Sequence, residues 1–304
     1  MSRAILDRIQ QLRRKHNVVI LAHTYQIGEV QDIADFAGDS LGLSVQASKT
    51  SADVIVFCGV LFMAETASIL SPQKTVLLPD LQAGCPMADM ITADQLVEMK
   101  QKYPEALVVC YVNSSAEVKA LSDYCCTSSN AVKLVSQLPQ DRQILFVPDQ
   151  HLGKFVQEQT GRDMILWPGY CPTHLRITAA DIEKARQKHP GAVVLAHPEC
   201  GPEIRALADK LLSTGQMIRF AGESEVKEFI IATEEGILHS LKKEHPQKDF
   251  YPVSDRTVCP NMKKITLEKV LWSLEEMQYE IRVPEEIQRK ARRSLDRMIE
   301  VLPA

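Results

Sequence analysis

Three cysteines in the chain are each followed by proline and recur at a nearly constant interval. Cys85 begins CPMADMIT, Cys171 begins CPTHLRIT and Cys259 begins CPNMKKIT. The separations are 86 and 88 residues, and each segment ends in Ile-Thr. Cysteine thiolates are ligands for iron–sulfur clusters and for zinc. The recurrence therefore singles out these three of the eight cysteines as candidate metal ligands.

The elements around the cysteines repeat at the same interval, so the chain divides into related units. The apolar runs VVILAHTY, LVVCYVN and VVLAHPE are typical of buried strands in a parallel sheet, and each follows a helical pattern. Thr92, Thr178 and Thr266 stand where a helix N-cap belongs. We predict an α/β fold of three homologous three-layer units arranged as a pseudo-threefold triangle, with an open solenoid as the alternative.

The repeat also predicts the domain boundaries. Unit 1 covers residues 1–84 and is completed by the C-terminal helices in 267–304, because the chain begins with a helix that the other units carry after their Cys-Pro. Unit 2 covers 85–170 and unit 3 covers 171–266. A closed triangle would bring the equivalent loops, and with them the three cysteines, to one axis.

Polar residues occupy equivalent positions at the ends of the three predicted strands, where parallel sheets bind their ligands. The first set is His23, Tyr111 and His197, the second set, two residues on, is Tyr25, Asn113 and Glu199, and the third, 17 residues after the first, is Ser40, Ser128 and Thr214. The hydroxyls of the third set precede predicted helices, whose free N–H groups bind anions. We expect a shared site for a substrate that carries carboxylate or phosphate. The alternative is that the hydroxyls are only helix caps.

Two metal centres suit three cysteines on one axis. A [4Fe–4S] cluster would take one cysteine on each of three irons and leave the fourth iron open as a Lewis acid. A zinc ion with water as its fourth ligand is the alternative, and the spacing leaves both open. Among the other cysteines, Cys200 is a candidate for lining the site because it follows Glu199. Packing roles are expected for Cys58, Cys110, Cys125 and Cys126.

Composition excludes several classes of function. The net charge is −4 and the pI about 6.1, so no basic field is present to hold nucleic acid or an anionic membrane. No apolar run approaches the ~20 residues of a membrane span. The N-terminal segment lacks the apolar core of a signal peptide. We therefore expect a cytoplasmic protein.

A wider set of segments runs through the whole chain: AHTYQ, GDSL, CGVLFMAE, DLQAGCPMAD, YVNSSAEVKA, CTSSNA, PDQHLG, WPGYCPTH, AHPEC, STGQM and TVCPNM. In these segments the chain closely resembles the quinolinate synthase (NadA) family. The resemblance implies the triangular fold and one [4Fe–4S] cluster held by Cys85, Cys171 and Cys259, with the fourth iron open to substrate. It also implies that iminoaspartate condenses with dihydroxyacetone phosphate to give quinolinate, phosphate and water in NAD biosynthesis. Some members carry CxxCxxC at the third cysteine, whereas this chain has CPNM and resembles the lone-cysteine subgroup.

The resemblance also implies site residues, and they nearly coincide with the repeated strand-end set. Glu199 is expected to be the general base, Tyr25 and Tyr111 to shuttle protons, and His197 to orient the substrate or hold a proton. An aspartate oxidase or dehydrogenase is the expected functional partner, because iminoaspartate must be supplied. The iminoaspartate-contacting positions are His23, Ser40, Tyr111, Asn113, Ser128, His197, Glu199 and Thr214.

Three other functions remain open for the same residues. One is a different [4Fe–4S] hydro-lyase, of the aconitase type. Another is a non-catalytic iron–sulfur sensor, although a binding module has little use for a carboxylate base and two tyrosines. The third is the zinc enzyme that the cysteine spacing also permits.

Overall fold

The structure, a computed structural model, describes residues 2–301 and contains three parallel sheets of four strands each. All three sheets have the same strand order, in which the first strand along the chain lies between the second and the third and the fourth lies outside the third. The prediction of an α/β fold built from three related units is confirmed.

The first sheet carries the N-terminal part of the chain. Its first strand, VVILAH, is almost wholly buried, as expected for a strand covered on both faces. The helices and strands are α1 (Ser2–His16), β1 (Val18–His23), α2 (Gly28–Ile33), β2 (Phe36–Gly38), α3 (Ser40–Lys49), β3 (Val54–Cys58), α4 (Leu61–Leu70) and β4 (Thr75–Leu77).

The second sheet follows a short 3₁₀ turn at Ala88–Met90. Its elements are α5 (Ala93–Lys102), β5 (Leu107–Tyr111), α6 (Ala116–Ala120), β6 (Tyr124–Cys126), α7 (Ala131–Gln137), β7 (Ile144–Val147), α8 (Gln150–Thr160) and β8 (Met164–Leu166).

The third sheet begins after the one-turn helix α9 (Pro172–Leu175) and ends before a second 3₁₀ turn at Met262–Lys264. Two C-terminal helices complete the chain. The elements are α10 (Ala179–Lys188), β9 (Val193–Ala196), α11 (Pro202–Leu207), β10 (Lys210–Leu211), α12 (Thr214–Glu223), β11 (Glu228–Ala232), α13 (Ile237–Glu244), β12 (Asp249–Pro252), α14 (Leu267–Glu276) and α15 (Glu285–Glu300).

The three predicted N-cap threonines are confirmed. Thr92 accepts a hydrogen bond from the Gln95 amide and Thr178 from the Asp181 amide, and in both cases the third residue of the helix returns a bond to the cap, forming a capping box. Thr266 caps α14. Each threonine therefore fixes the start of the helix that follows its cysteine.

An aspartate that the strand patterns did not reveal fixes the second strand of every sheet. The pairs are Ile20 with Asp35, Val108 with Asp123, and Val194 with Asp209. In each pair the first-strand amide donates to the carboxylate at 2.7–2.8 Å, and the aspartate amide donates back to the carbonyl of that same residue. Because this satisfies backbone groups where two strands diverge, it holds the edge strand in register.

The C-terminal helices pack on two of the units. α14 contacts α1, whereas α15 lies against α6 and β6 of the second sheet as well as α4 of the first. Residues 1 and 302–304 of predicted unit 1 lie outside the described residues, and the division into domains stays a prediction. Within residues 2–301, no helix has both the length and the apolar character that crossing a bilayer requires.

Candidate active site

One cavity lies where the carboxyl ends of the three sheets meet. His23 ends β1, Tyr111 ends β5 and His197 directly follows β9, so the equivalent strand ends contribute to the same space. The triangle predicted this convergence. All twelve residues that we predicted to be metal ligands, substrate contacts or catalytic groups line the cavity, namely His23, Tyr25, Ser40, Cys85, Tyr111, Asn113, Ser128, Cys171, His197, Glu199, Thr214 and Cys259.

The three cysteine loops are held by the same backbone hydrogen bond. The acceptor is the carbonyl of the residue two positions before each cysteine. The donor is the amide of the residue three positions after the third strand of a sheet. Leu61 donates to Ala83 at 2.8 Å, Gln150 to Gly169 at 2.9 Å and Glu235 to Thr257 at 2.9 Å. The cysteine sites are therefore structurally equivalent, in agreement with the repeat.

Each cysteine also begins a short helical turn. The carbonyls of Cys85, Cys171 and Cys259 accept bonds from the amides four residues on. Backbone N–H groups consequently point at the three sulfur atoms, from Ala88 and Met87 to Cys85, from His174 to Cys171, and from Met262 and Asn261 to Cys259. Such N–H groups favour the thiolate form of a cysteine.

In the free thiols, burial opposes the effect of these N–H groups on the cysteine pKa values. It raises the pKa of Cys85 to about 12, and it raises the pKa values of Cys171 and Cys259 as well. The negative charge of Cys259 further raises the pKa of Cys85, and that of Cys85 raises the pKa of Cys171. Three thiolates so placed require a cation, so the donor set fits a metal centre with sulfur ligands.

The Cys171 thiol lies beside the acidic part of the cavity. Its sulfur, a ring nitrogen of His174 and a carboxylate oxygen of Glu199 all lie within 4.8 Å of one another. His174 Nδ1 is 2.7 Å from Glu199 Oε2, and both side chains are buried. A metal on Cys171 would therefore lie next to groups that can move protons.

Glu199 contacts both His174 and Tyr111. The Tyr111 hydroxyl donates to Glu199 Oε1 at 2.5 Å. Burial alone would raise the pKa of the carboxyl, but His174, His197 and the Tyr111 hydroxyl together lower it to about 2. Glu199 is consequently a carboxylate at neutral pH.

A continuous line of polar groups joins two tyrosines across the cavity. The Tyr25 hydroxyl is 2.5 Å from Thr233 Oγ1, which is 2.7 Å from His174 Nε2. His174 Nδ1 lies 2.7 Å from Glu199 Oε2, an ion-pair contact without hydrogen-bond geometry, and Glu199 accepts from Tyr111. Burial and the charge of Glu199 raise the pKa values of both tyrosines well above their usual range, so both are protonated. We call this line of groups, from Tyr25 through Thr233, His174 and Glu199 to Tyr111, the relay, because each member can hold or exchange a proton.

His23 and His197 are held in the same tautomer. The amide of Tyr25 donates to His23 Nδ1 at 3.1 Å, and the amide of Glu199 donates to His197 Nδ1 at 3.3 Å. Burial lowers the pKa of each imidazole to about 3, so both rings are neutral and carry their proton on Nε2. Each ring therefore offers one N–H donor, which His197 shares with Ser128 Oγ at 3.1 Å.

The repeated hydroxyls are not helix caps. Asp39 caps α3 by accepting from the Gly42 amide, and Ser213 caps α12 by accepting from the Gln216 amide. Ser40 and Thr214 are the first residues of those helices, so their hydroxyls are not used in capping. The third helix, α7, begins at Ala131, later than expected, because residues 127–130 form a turn first.

Asn113 has an unsatisfied atom at the cavity. Its Oδ1 is buried and has no hydrogen-bond partner within the described part of the chain. A buried carbonyl without a partner costs free energy, so a ligand N–H or O–H is the natural donor for it.

Several residues at or beside the cavity were not predicted. His174 and Thr233 belong to the relay, Arg176 adds an exposed cation, and Glu234 is a buried carboxylate. His174 corresponds to Ala88 and Met262 in the other units, so a search for repeated polar positions passes over it. Cys200 is buried but is not among the residues that line the cavity.

Comparisons with known proteins identify the family. The model of a family described as NadA, quinolinate synthetase A protein, matches residues 7–300. A quinolinate synthase of Dehalococcoides mccartyi strain CBDB1 is 56% identical over 298 residues, 98% of each chain. Quinolinate synthase 2 of Methanosarcina acetivorans is 54% identical over 299 residues, 98% of this chain and 96% of the relative. A quinolinate synthase of Thermus thermophilus is 54% identical over 302 residues, 98% of this chain and 97% of the relative. The resemblance in the sequence is thereby confirmed, and the chain belongs to the NadA family of quinolinate synthetase A proteins.

Proposed function

We propose that the chain catalyses the condensation of iminoaspartate with dihydroxyacetone phosphate to quinolinate, phosphate and water, as a step of NAD biosynthesis. One observation carries the proposal. Three equivalent cysteines and the relay share a single cavity with neutral N–H donors and with the hydroxyls of Ser40, Ser128 and Thr214. The names of the relatives support the product, because a quinolinate synthase must form a pyridine ring that carries two carboxylates.

The donors of the cavity suit a dicarboxylate. We assign the carboxylates of iminoaspartate to the hydroxyls of Ser40, Ser128 and Thr214 and to the Nε2–H groups of His23 and His197. Hydrogen bonds to an ionised acceptor are the stronger kind, so neutral donors suffice. The unpartnered Oδ1 of Asn113 would accept from the substrate nitrogen.

We assign one [4Fe–4S] cluster to Cys85, Cys171 and Cys259. The N–H groups directed at the three sulfurs and the raised pKa values of the free thiols support a centre that binds them as thiolates. When bound, such a cluster with an open iron supplies a Lewis acid that polarises a substrate oxygen. Zinc is the competing occupant.

The relay supplies the proton transfers of the reaction. Loss of phosphate and loss of water each remove a proton from carbon and deliver one to oxygen. We propose that Tyr111 passes its proton to Glu199 and takes the proton removed from carbon in its place. Tyr25 delivers its proton to the leaving oxygen and regains one from Glu199 through His174 and Thr233, so the protons balance. His197 orients the substrate. Glu199 is ionised before substrate binds, so it can act as the base without first losing a proton.

Two other functions are less well supported. A non-catalytic iron–sulfur sensor has no need of the Tyr25–Tyr111 relay. A hydro-lyase of the aconitase type would use the same open iron but a different substrate. An aspartate oxidase or dehydrogenase as the source of iminoaspartate, and a cytoplasmic location, remain part of the proposal.

The test is an anaerobic assay of the purified protein with its cluster reconstituted. Iminoaspartate generated in the assay by an added aspartate oxidase, together with dihydroxyacetone phosphate, should yield quinolinate and phosphate in equal amounts. Citrate offered to the same preparation should not be consumed. Citrate turnover without quinolinate would favour the hydro-lyase, and turnover of neither by cluster-loaded protein would favour the sensor.

A further inference from the structure

We propose that Glu234 and Lys263 form a positioning pair that couples the Cys259 loop of the third unit to the Tyr25 turn of the first. The inference rests on the proposed function for its catalytic consequence only. Neither residue belongs to the repeated set of candidate ligands and catalytic groups. Both act through the groups that they hold.

Both carboxylate oxygens of Glu234 already have partners within the chain. Its side chain is fully buried. Oε1 accepts from the Cys259 amide at 3.0 Å, and Oε2 accepts from the Gly236 amide at 2.7 Å. Lys263 Nζ lies 2.9 Å from Oε1 and 3.1 Å from Oε2. Although Glu234 lines the cavity, its oxygens are engaged in holding backbone, so we assign it no role in binding substrate.

Lys263 extends the pair to the first unit. Its Nζ donates to the carbonyl of Tyr25 at 2.6 Å, across 238 residues of sequence. The carbonyls on either side of Tyr25, those of Thr24 and Gln26, are already bound by the side-chain amide of Gln31. Lys263 therefore completes the set of restraints on the turn that presents the Tyr25 side chain.

Gly236 closes the contact between the same two segments. A Cβ at Gly236 would lie 2.7 Å from the Tyr25 carbonyl carbon and oxygen, which no side chain can tolerate. The Gly236 carbonyl also accepts from Gln31. Glu234 thus fixes Gly236 through its amide while Gly236 packs on Tyr25, giving a second route between the carboxylate and the turn.

The arrangement has a mechanical consequence. The Cys259 amide and the Tyr25 carbonyl are bound to the two members of one ion pair, so neither segment can shift without disturbing the other. Removing one member of a buried ion pair is strongly destabilising, because the other charge is left without a partner. Cys259, a candidate metal ligand, and Tyr25, the first group of the relay, are thereby held in a fixed position relative to each other.

Hydrogen exchange of the metal-free chain tests the coupling without requiring any activity. In Lys263→Met and in Glu234→Gln, amides in both segments, 257–263 and 24–28, should exchange about tenfold faster, as expected when one hydrogen bond of a local unit is lost. Lys263→Arg, which keeps the charge and the donors, should restore most of the protection. Lys242→Met, at an exposed lysine on α13, is the matched control and should leave both segments unchanged.

Faster exchange in only one of the two segments, or in neither, would overturn the proposal. If Glu234→Gln does not fold, Lys263→Met and Lys263→Arg decide alone. In the loaded enzyme we expect Lys263→Met to keep the visible absorbance and to lower kcat about tenfold with KM within about twofold, because Tyr25 is displaced and the carboxylate donors are not. A wild-type chain that made no quinolinate would refute the proposed function and leave the exchange result to stand by itself.

Discussion

The hydroxyl of Tyr111 lies 2.5 Å from a carboxylate oxygen of Glu199, although the two residues belong to different units and are 88 residues apart. Tyr111 ends β5, whereas Glu199 lies three residues beyond the end of β9. Tyr111 corresponds to His23 and His197 in the repeat, whereas Glu199 corresponds to Tyr25 and Asn113. All of these equivalent positions lie at or just beyond strand ends, and we propose that Tyr111 and Glu199 act there as an acid and a base. The functional consequences can be tested residue by residue.

Replacing Glu199 by Gln should abolish turnover and spare the metal centre. The amide cannot accept a proton, so we expect kcat to fall at least about 100-fold, the usual range for loss of an acid–base group. Iron and sulfide content should match that of wild type, because Glu199 is not among the proposed ligands. Tyr111→Phe tests the same contact from the other side. Near-normal kcat in Glu199→Gln would remove Glu199 from the acid–base role.

Cys171→Ser should lose both the brown colour and activity after reconstitution, because a candidate cluster ligand is missing. The matched control is Cys200→Ala, which removes a buried thiol that is not among the cavity-lining residues. That variant should keep its visible spectrum and lose only about 1 kcal/mol of stability, in the range for trimming a small buried side chain. Equal loss of colour in both variants would argue against a specific role for Cys171.

The repeated aspartates should contribute to stability. Asp123→Ala removes the acceptor of the Val108 amide and leaves a backbone donor unsatisfied. We expect the free energy of unfolding to fall by about 1–3 kcal/mol in urea denaturation. Asp141→Ala, at an exposed position of the same unit, should change it by less than about 0.5 kcal/mol. Similar values for the two variants would contradict the role given to Asp123.

The buried histidines predict that stability falls with acidification. His197 has a pKa of about 3 in the folded chain and the ordinary value of 6.5 when unfolded. Between these pH values the unfolded chain binds the extra proton, so stability is complete above pH 6.5 and is lost as the pH falls toward 3. Glu199, whose pKa falls from 4.5 to about 2, contributes in the same direction only below pH 4.5.

Glu199 therefore makes no contribution over the interval from pH 6.5 to 5.0, and comparison of a His197 variant with wild type cancels the other groups that titrate there. His197→Asn should reduce the loss of unfolding free energy over that interval by about 1–2 kcal/mol relative to wild type, because one titrating group has been removed. Urea titrations at the two pH values measure it. An unchanged difference would mean that His197 is charged in the folded protein.

The repeat made most of the cavity predictable. Because the three units descend from one pattern, residues such as Cys85 and Ser40 could be found from their counterparts, and their common position at strand ends implied that they converge. Helix starts were predictable wherever a cap stands in the sequence, as at Thr92. At Ser128 the intervening turn delays the helix to Ala131, and nothing in the local pattern indicates that turn.

The relay was not predictable, because its middle members occur in a single unit. Thr233 corresponds to Gly59 and Pro148 at the ends of the other third strands, so no repeat marks it. Its contact with Tyr25 spans 208 residues and exists only because the first and third units meet. Contacts formed by closure of the triangle depend on distances that local periodicity does not contain.

We propose that Cys85, Cys171 and Cys259 together hold one [4Fe–4S] cluster. Iron and acid-labile sulfide, measured on anaerobically purified and reconstituted protein, test it most directly. We expect about four iron and four sulfide per chain, the composition of one such cluster. Colourless protein that contains zinc and no sulfide would contradict it.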